Sequence, residues 1–305
     1  MEIKIIMNNV ISLFLIILVG IYGVKRKIIS KEIQEGLTEI LMGITLPLMV
    51  INSFNMNFDE QMKSNLGKCL IYSVLIFILV GIISYILLIP IKEKNKKKIL
   101  QFANVFSNCG FVGFPLINNI YGAEGVVYTS IFNLFFNILV WTYGVMLYTD
   151  TINIKDMKKV LLTPGIISVF IGLPLLIFDI QLPEIIYNSF ELVGGMTTPL
   201  SMIIIGCILA KIDLKSAFKD ITVYYEIIIR LLIIPLILIA IARIIGENNV
   251  LVNTLIILQA MPAATMTSIM ADKYKVSSEY SAIVVFTTTL LSLITFPVIL
   301  KILSL

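Results

Sequence analysis

Apolar residues along this chain do not alternate with polar ones; they come in near-continuous runs separated by short charged or turn-rich breaks. A run of about 20 apolar residues is the length of helix that crosses a bilayer. Such runs fall near residues 8–25, 36–55, 68–91, 101–121, 126–148, 164–179, 188–210, 221–243, 251–272 and 279–303, and they predict ten spans. Helices are preferred over a barrel, because lipid-facing strands alternate and these runs do not. Lys4 ahead of the first run imitates a signal peptide, but no small-residue cleavage site follows, and Lys25, Arg26 and Lys27 read as a cytoplasmic anchor.

The polar breaks orient the stack. On one side they hold Lys25, Arg26, Lys27 and Lys31; Lys92, Lys94, Lys96, Lys97 and Lys98; Lys155, Lys158 and Lys159; Lys211, Lys215 and Lys219; and Lys273 and Lys275. The other side holds only Lys4, Lys63, Lys68, Arg243 and Lys301. Basic loops stay in the cytoplasm, so both termini are expected outside and the multi-pass chain in the plasma membrane.

The pattern also repeats. Glu39-x-x-x-Gly43-x-Thr45-x-Pro47-Leu48 returns as Glu191-x-x-x-Gly195-x-Thr197-x-Pro199-Leu200, a shift of 152 residues. Five spans lie in each copy. An odd number inverts the second copy relative to the first, a layout common among secondary transporters. The expected organisation is therefore an N-terminal repeat over 1–150, a short cytoplasmic linker over 151–163 and a C-terminal inverted repeat over 164–305.

Composition agrees with the membrane and removes several chemistries. Hydrophobic residues make up 58% of the chain and charged ones 14%, with a mean hydropathy of +1.00, too little polar surface to cover a soluble globule. There is no His, which removes His-ligated metals, histidine proton relays and a Ser-His triad. Cys69, Cys109 and Cys207 lie far apart in apolar runs and read as core residues. No span offers a nucleophile with a base, so no enzyme, cofactor or metal is expected. The net charge of +4 is spread over many loops and suggests no nucleic acid.

Two spans are interrupted. The fourth reads Asn104-Val-Phe-Ser107-Asn108-Cys-Gly110-Phe-Val-Gly113-Phe-Pro115-Leu, and adding 152 to Gly110 reaches Pro262 in Gln259-Ala-Met-Pro262-Ala263-Ala-Thr265-Met-Thr267-Ser268. Glycine and proline free backbone groups that are tolerable at membrane depth only where protein or a cavity satisfies them. Interruptions at matching positions of two halves point to a transporter's binding site. Packing kinks are the alternative explanation of each span alone.

At these residues the chain resembles a known family. Asn108 to Leu116, Tyr121-Gly122-Ala-Glu-Gly125, Asn137-Ile-Leu-Val-Trp141-Thr-Tyr-Gly144, Met261 to Thr267 and Thr289-Leu-Leu-Ser292-Leu-Ile-Thr-Phe-Pro297 are together similar to the auxin efflux carrier family, which includes the plant auxin exporters and shorter bacterial carriers. The resemblance implies an all-α integral membrane protein of ten transmembrane helices in two inverted five-helix repeats, with broken helices 4 and 9 crossing near the midplane. It further implies a scaffold of spans 1, 2, 6 and 7, a moving transport unit of spans 3–5 and 8–10 working as an elevator, and a homodimer. Asn108 matches the family's crossover asparagine and Pro262 its proline on the ninth span. Met266 stands where relatives usually carry a polar residue, and the long cytoplasmic loop of the plant exporters is missing, as in the bacterial type.

Charge narrows the solute. The second half of each broken helix starts near the midplane, so two positive dipole ends face one site, and the central thirds of the spans hold no Asp. A small carboxylate fits best, and the resemblance narrows it to organic anions such as auxin-like or dicarboxylate compounds. The substrate-binding candidates are Asn108, Gly110, Gly113, Pro115, Asn133, Asn137, Pro262, Ala263, Thr265 and Thr267. Asn133 and Asn137 suit either the cavity or helix-to-helix bonding, and Thr288, Ser292 and Thr295 form a packing stripe. Arg230, with Glu226 one turn earlier, is either an internal ion pair with a snorkelling arginine or a gate or anion contact. Glu39 and Glu191 are expected to cap the first turns of scaffold helices rather than to carry a coupling proton. The competing class is an ion channel or a non-transporting sensor on the same scaffold.

Overall fold

A computed structural model describes residues 3–55, 60–149, 162–210 and 219–303. Of the expected linker only 162 and 163 fall within these. Eleven helices are described: α1 (Ile3–Lys25), α2 (Lys31–Ser53), α3 (Glu60–Leu87), α4 (Lys94–Val105), α5 (Cys109–Thr149), α6 (Pro164–Ile177), α7 (Glu184–Leu209), α8 (Ile221–Ile245), α9 (Val250–Ala260), α10 (Met266–Lys273) and α11 (Ser278–Leu303). Six, namely α2, α3, α5, α7, α8 and α11, contain stretches long and apolar enough to cross a membrane, and α1, α6 and α9 include shorter apolar stretches. No strand is formed among the described residues beyond one isolated pair. The protein is all-helical and multi-pass.

The lipid face is plain on α3. Ile71, Leu75, Ile78, Ile82 and Ile86 recur along one side of it, and each is more than half exposed. In water such a stripe would be an aggregation surface; against lipid it is the expected outer face.

The chain divides into two compact units. The first comprises Met1–Leu70, Gly110–Leu134 and Lys158–Lys211. Within it α1 lies along the second half of α7 so closely that a Cβ on Gly20 would strike the Ile203 carbonyl and the Gly206 Cα, and one on Gly206 would strike the Ile17 carbonyl. Small residues permit this backbone approach, the usual way helices associate in lipid. Leu46, Met49, Val50, Phe54, Phe114, Val126 and Val169 build its core, with Phe54 seated where Gly172 leaves room.

The repeated Gly-x-Thr-x-Pro pattern makes the same kind of break twice here. In α2 a π-type turn over Leu41–Thr45 precedes Pro47, and in α7 the helix is interrupted at Met196 ahead of Pro199. Proline lacks the N–H that would bond four residues back, so each helix loosens over the residues before it. Glu39 and Glu191 do not cap first turns: Ser30 caps α2, and each Glu lies about two turns inside its helix. Gly122 splits α5 with φ 61° and ψ −148°, a conformation that glycine alone adopts without strain.

The second unit comprises Ile71–Cys109, Phe135–Met157 and Ile212–Leu305. On its polar edge Lys96 bonds Glu93 at 2.8 Å and Asp220 at 2.7 Å, and Asp220 caps α8 through the Thr222 N–H at 2.9 Å. Burial raises the Asp220 carboxyl, but the hydrogen bonds of Lys96 and Thr222 outweigh it and hold it below its ordinary value. The start of α4 is thereby tied to the start of α8.

Candidate functional site

Within the second unit the two interrupted segments meet. The helix α4 stops at Val105 and α9 at Ala260, and Ser107 pairs antiparallel with Ala263. The Asn108 N–H donates to the Pro262 carbonyl at 2.8 Å, and the Ala264 N–H donates to the Phe106 carbonyl at 2.9 Å. These two bonds exchange places under a shift of 156 residues, since 108 becomes 264 and 106 becomes 262. The shift of 152 that holds at the Thr-x-Pro motifs therefore fails here by four residues, about one helical turn of extra chain in the second copy. Gly110 corresponds to Met266 rather than to Pro262.

The pairing explains how interrupted backbone survives in an apolar interior: each segment supplies partners for the other. The side of the pair is also held. Thr288 on α11 accepts from the Ala263 N–H at 3.2 Å while donating to the Val284 carbonyl at 2.7 Å, so this member of the packing stripe supports the break. Phe106 packs with Phe102 at 4.5 Å between ring centroids and edge-on with Phe136 at 5.5 Å.

Arg230 approaches from α8, inside a π-type turn over Ile229–Ile233, and is fully buried. It is not a snorkelling arginine. Its Nε donates to the Met261 carbonyl at 3.0 Å, and its Nη1 donates to the Asn104 carbonyl at 2.6 Å and to Gln259 Oε1 at 3.1 Å. Two of those acceptors are carbonyls at the ends of α4 and α9, groups that a terminating helix leaves unsatisfied and partly negative. Glu226, also fully buried, accepts from the Asn104 side-chain amide at 2.9 Å. Asn104 thus stands between the two charges.

The predicted residues sort as follows. Asn108, Pro262, Ala263 and Thr267 are buried in the second unit at or beside the paired segments, and half-buried Thr265 heads α10. Asn137 is half-buried on the part of α5 that belongs to this unit. Gly110, Gly113, Pro115 and Asn133 belong to the first unit, where Phe111 accepts a hydrogen bond from Ser201, Asn119 donates to the Pro115 carbonyl at 2.8 Å, and Gly165 of α6 lies beside Asn133. Asn104 and Gln259 take part in the site without being among the residues expected from the sequence. Their signal is an amide placed within a turn of each helix break.

The first unit also holds a half-open cavity of about 630 Å³ whose polar lining includes Asn52, Asn55, Asn118, Gln181, Tyr187 and Glu191. Asn55 Oδ1 accepts from the Leu182 N–H at 2.6 Å, which pins one rim. With one carboxylate and no basic residue, this lining suits polar solutes or water better than an isolated anion.

Comparison with known proteins bears on the whole chain. A family profile described as Membrane transport protein matches residues 5–151 and again 148–300. An uncharacterized transporter of Methanocaldococcus jannaschii is 25% identical over 302 residues, covering 94% of this chain and 96% of that protein. A second uncharacterized transporter, from Methanothermobacter thermautotrophicus, is 22% identical over 295 residues, covering 95% and 96%.

Proposed function

The chain belongs to the auxin efflux carrier family of membrane transport proteins, and from that premise we propose that it is a secondary carrier for small organic anions, exporting them across the plasma membrane by elevator-type alternating access. It is a transporter, not an enzyme. The observation that carries the reading is the antiparallel meeting of two interrupted helices, with Asn108 and the N-terminal end of α10 beside it. Freed N–H groups at such ends attract negative charge. The cavity that contains Glu191 does not contribute to this argument, since a carboxylate repels an anion.

Ten spans are supported by two features. Gly122 divides α5 into two parts, and the pairs α4 with the first part of α5, and α9 with α10, each read as one interrupted span. On this count the two repeats are inverted, with scaffold spans 1, 2, 6 and 7 and moving spans 3–5 and 8–10. The charge bias places both termini outside, and a reporter fused after Leu305 that is active in the cytoplasm would sink that orientation. A homodimer through the scaffold follows from the family expectation and is tested by the mass of the protein in detergent.

A thermal-shift screen of the purified protein against organic anions, cations and neutral sugars tests the substrate class. Ligands that bind the native state raise its apparent stability. Anions alone should do so. Stabilisation by cations or sugars without anions would overturn the reading.

A further inference from the structure

The connection from α3 to α4, with the first turns of α4, carries Lys92, Lys94, Lys96, Lys97 and Lys98 against a single acid, Glu93. Two of these lysines are spent inside the second unit: Lys96 bonds Glu93 and Asp220, and Lys98 donates to the Tyr148 carbonyl at 3.3 Å. Lys97 turns instead toward α3. Its Nζ stands 5.2 Å from the centroid of the Tyr85 ring, which is 61% exposed near the end of that helix, and it has no carboxylate partner among the described residues.

Tyr85 also lines a groove of about 390 Å³ that opens on the surface of the same unit. Phe77, Ile78, Gly81 and Ile82 form its α3 wall, with Val105 from α4 and Tyr143 from α5. Gln101 accepts from the Ser84 hydroxyl at 2.9 Å and donates to the Gly81 carbonyl and the Tyr143 hydroxyl, each at 2.9 Å. Polar groups of the walls are thus bonded to one another, and what the groove presents is apolar. A Cβ on Gly81 would meet nothing within 4 Å. From Phe77 to Tyr85 the groove follows α3 for about 12 Å, most of the roughly 15 Å depth of one hydrocarbon leaflet. On α4, Lys97, Gln101 and Val105 recur every four residues, so one face of that helix passes from charge at the edge to the apolar groove.

We propose that this groove seats one acyl chain of an anionic phospholipid, with the lipid phosphate held at Lys97 where the groove meets the lysine-rich edge. Depth and charge each favour that occupant. An apolar channel as long as a leaflet is deep suits a hydrocarbon tail, and a cation at its polar end suits a phosphate. A small apolar solute would not use Lys97, and a free phosphate would not use the groove. A zwitterionic lipid brings the same tail, but its own cation offsets its phosphate. The site is separate from the paired segments and does not depend on which solute the protein carries.

Native mass spectrometry of the full chain, released from detergent micelles that contain phosphatidylglycerol or phosphatidylcholine with identical acyl chains, tests the site. The wild type should retain its first phosphatidylglycerol about fivefold more tightly than phosphatidylcholine, the contribution of one basic residue beside an anionic lipid. Lys97→Gln should remove that preference and leave phosphatidylcholine retention unchanged. Gly81→Leu places a side chain in the groove without striking protein, and should abolish retention of both lipids at an unchanged melting temperature. Inorganic phosphate should not compete. Equal retention of the two lipids by the wild type, a Lys97→Gln variant that keeps the preference, or displacement of the lipid by inorganic phosphate would overturn the proposal. So would a folded Gly81→Leu variant that keeps both lipids, or one whose only change is the number of copies in the particle, which would make the groove the seat of a second chain. Lys97 lies at the polar edge, so Lys97→Gln decides the headgroup contact even where Gly81→Leu fails to fold.

Discussion

Asn104 touches both buried charges, and no local feature of the sequence announces that role. Its bond to Glu226 joins residues 122 apart in the chain, and its carbonyl is free for Arg230 only because α4 ends one residue later. The chain did announce the interruption itself, through Gly110, Gly113, Pro115 and Pro262, and it announced Arg230 as the lone basic residue deep in a span. What it hid was the partner set, since hydrogen bonds across a fold depend on register, and the register here is four residues off the one the Thr-x-Pro motifs display. Asn108 is both legible and well placed: it lies at the end of the paired segment, buried, with its backbone N–H already spent on Pro262. Replacing Asn108 by Ala should therefore leave the pairing intact and weaken anion binding by about 1–3 kcal/mol, the cost of losing one polar contact in a dry site. Titration of the folded variant checks this, and an unchanged affinity would assign the side chain to packing.

The helices were the most readable level. Runs of about 20 apolar residues overlap every described helix and match the ends of α6, α8 and α11 within two residues, because hydrocarbon thickness fixes their length, whereas α3 and α4 begin seven or eight residues before their runs. Finer features needed the structure. The π-type turn at Val140–Gly144 has no proline after it to betray it, whereas the one at Ile229–Ile233, which carries Arg230, stands two residues before Pro235, the spacing also found at Pro47. The seam between α1 and α7 was also invisible, because Gly20 and Gly206 are ordinary residues of apolar runs until their backbones touch. That contact gives an element-scale prediction. Gly206→Val adds bulk where the Ile17 carbonyl and Gly20 lie, and overpacking of this kind costs about 1–3 kcal/mol. The variant's melting temperature in detergent should fall, whereas the same change at Gly67, which has open space around its Cβ position, should lower it far less; equal effects would mean the seam is not tight.

At the scale of the molecule, the membrane environment was legible from composition, and the family match over residues 5–151 and 148–300 agrees with it. For the solute the sequence offers only an expected sign of charge, which the proposed function carries forward. That expected sign is argued from helix ends and from the absence of His. Helix ends do not titrate, so an anion crossing such a site carries its charge uncompensated, and each elementary charge responds to the membrane potential by about 2.3 kcal/mol per 100 mV. An inside-negative potential then drives export without sodium. The direct measurement is organic-anion flux in proteoliposomes under a potential set by potassium and valinomycin. Flux that follows the sign and size of the potential in sodium-free buffer is the predicted result; flux indifferent to the potential and strictly dependent on a sodium or proton gradient would contradict it.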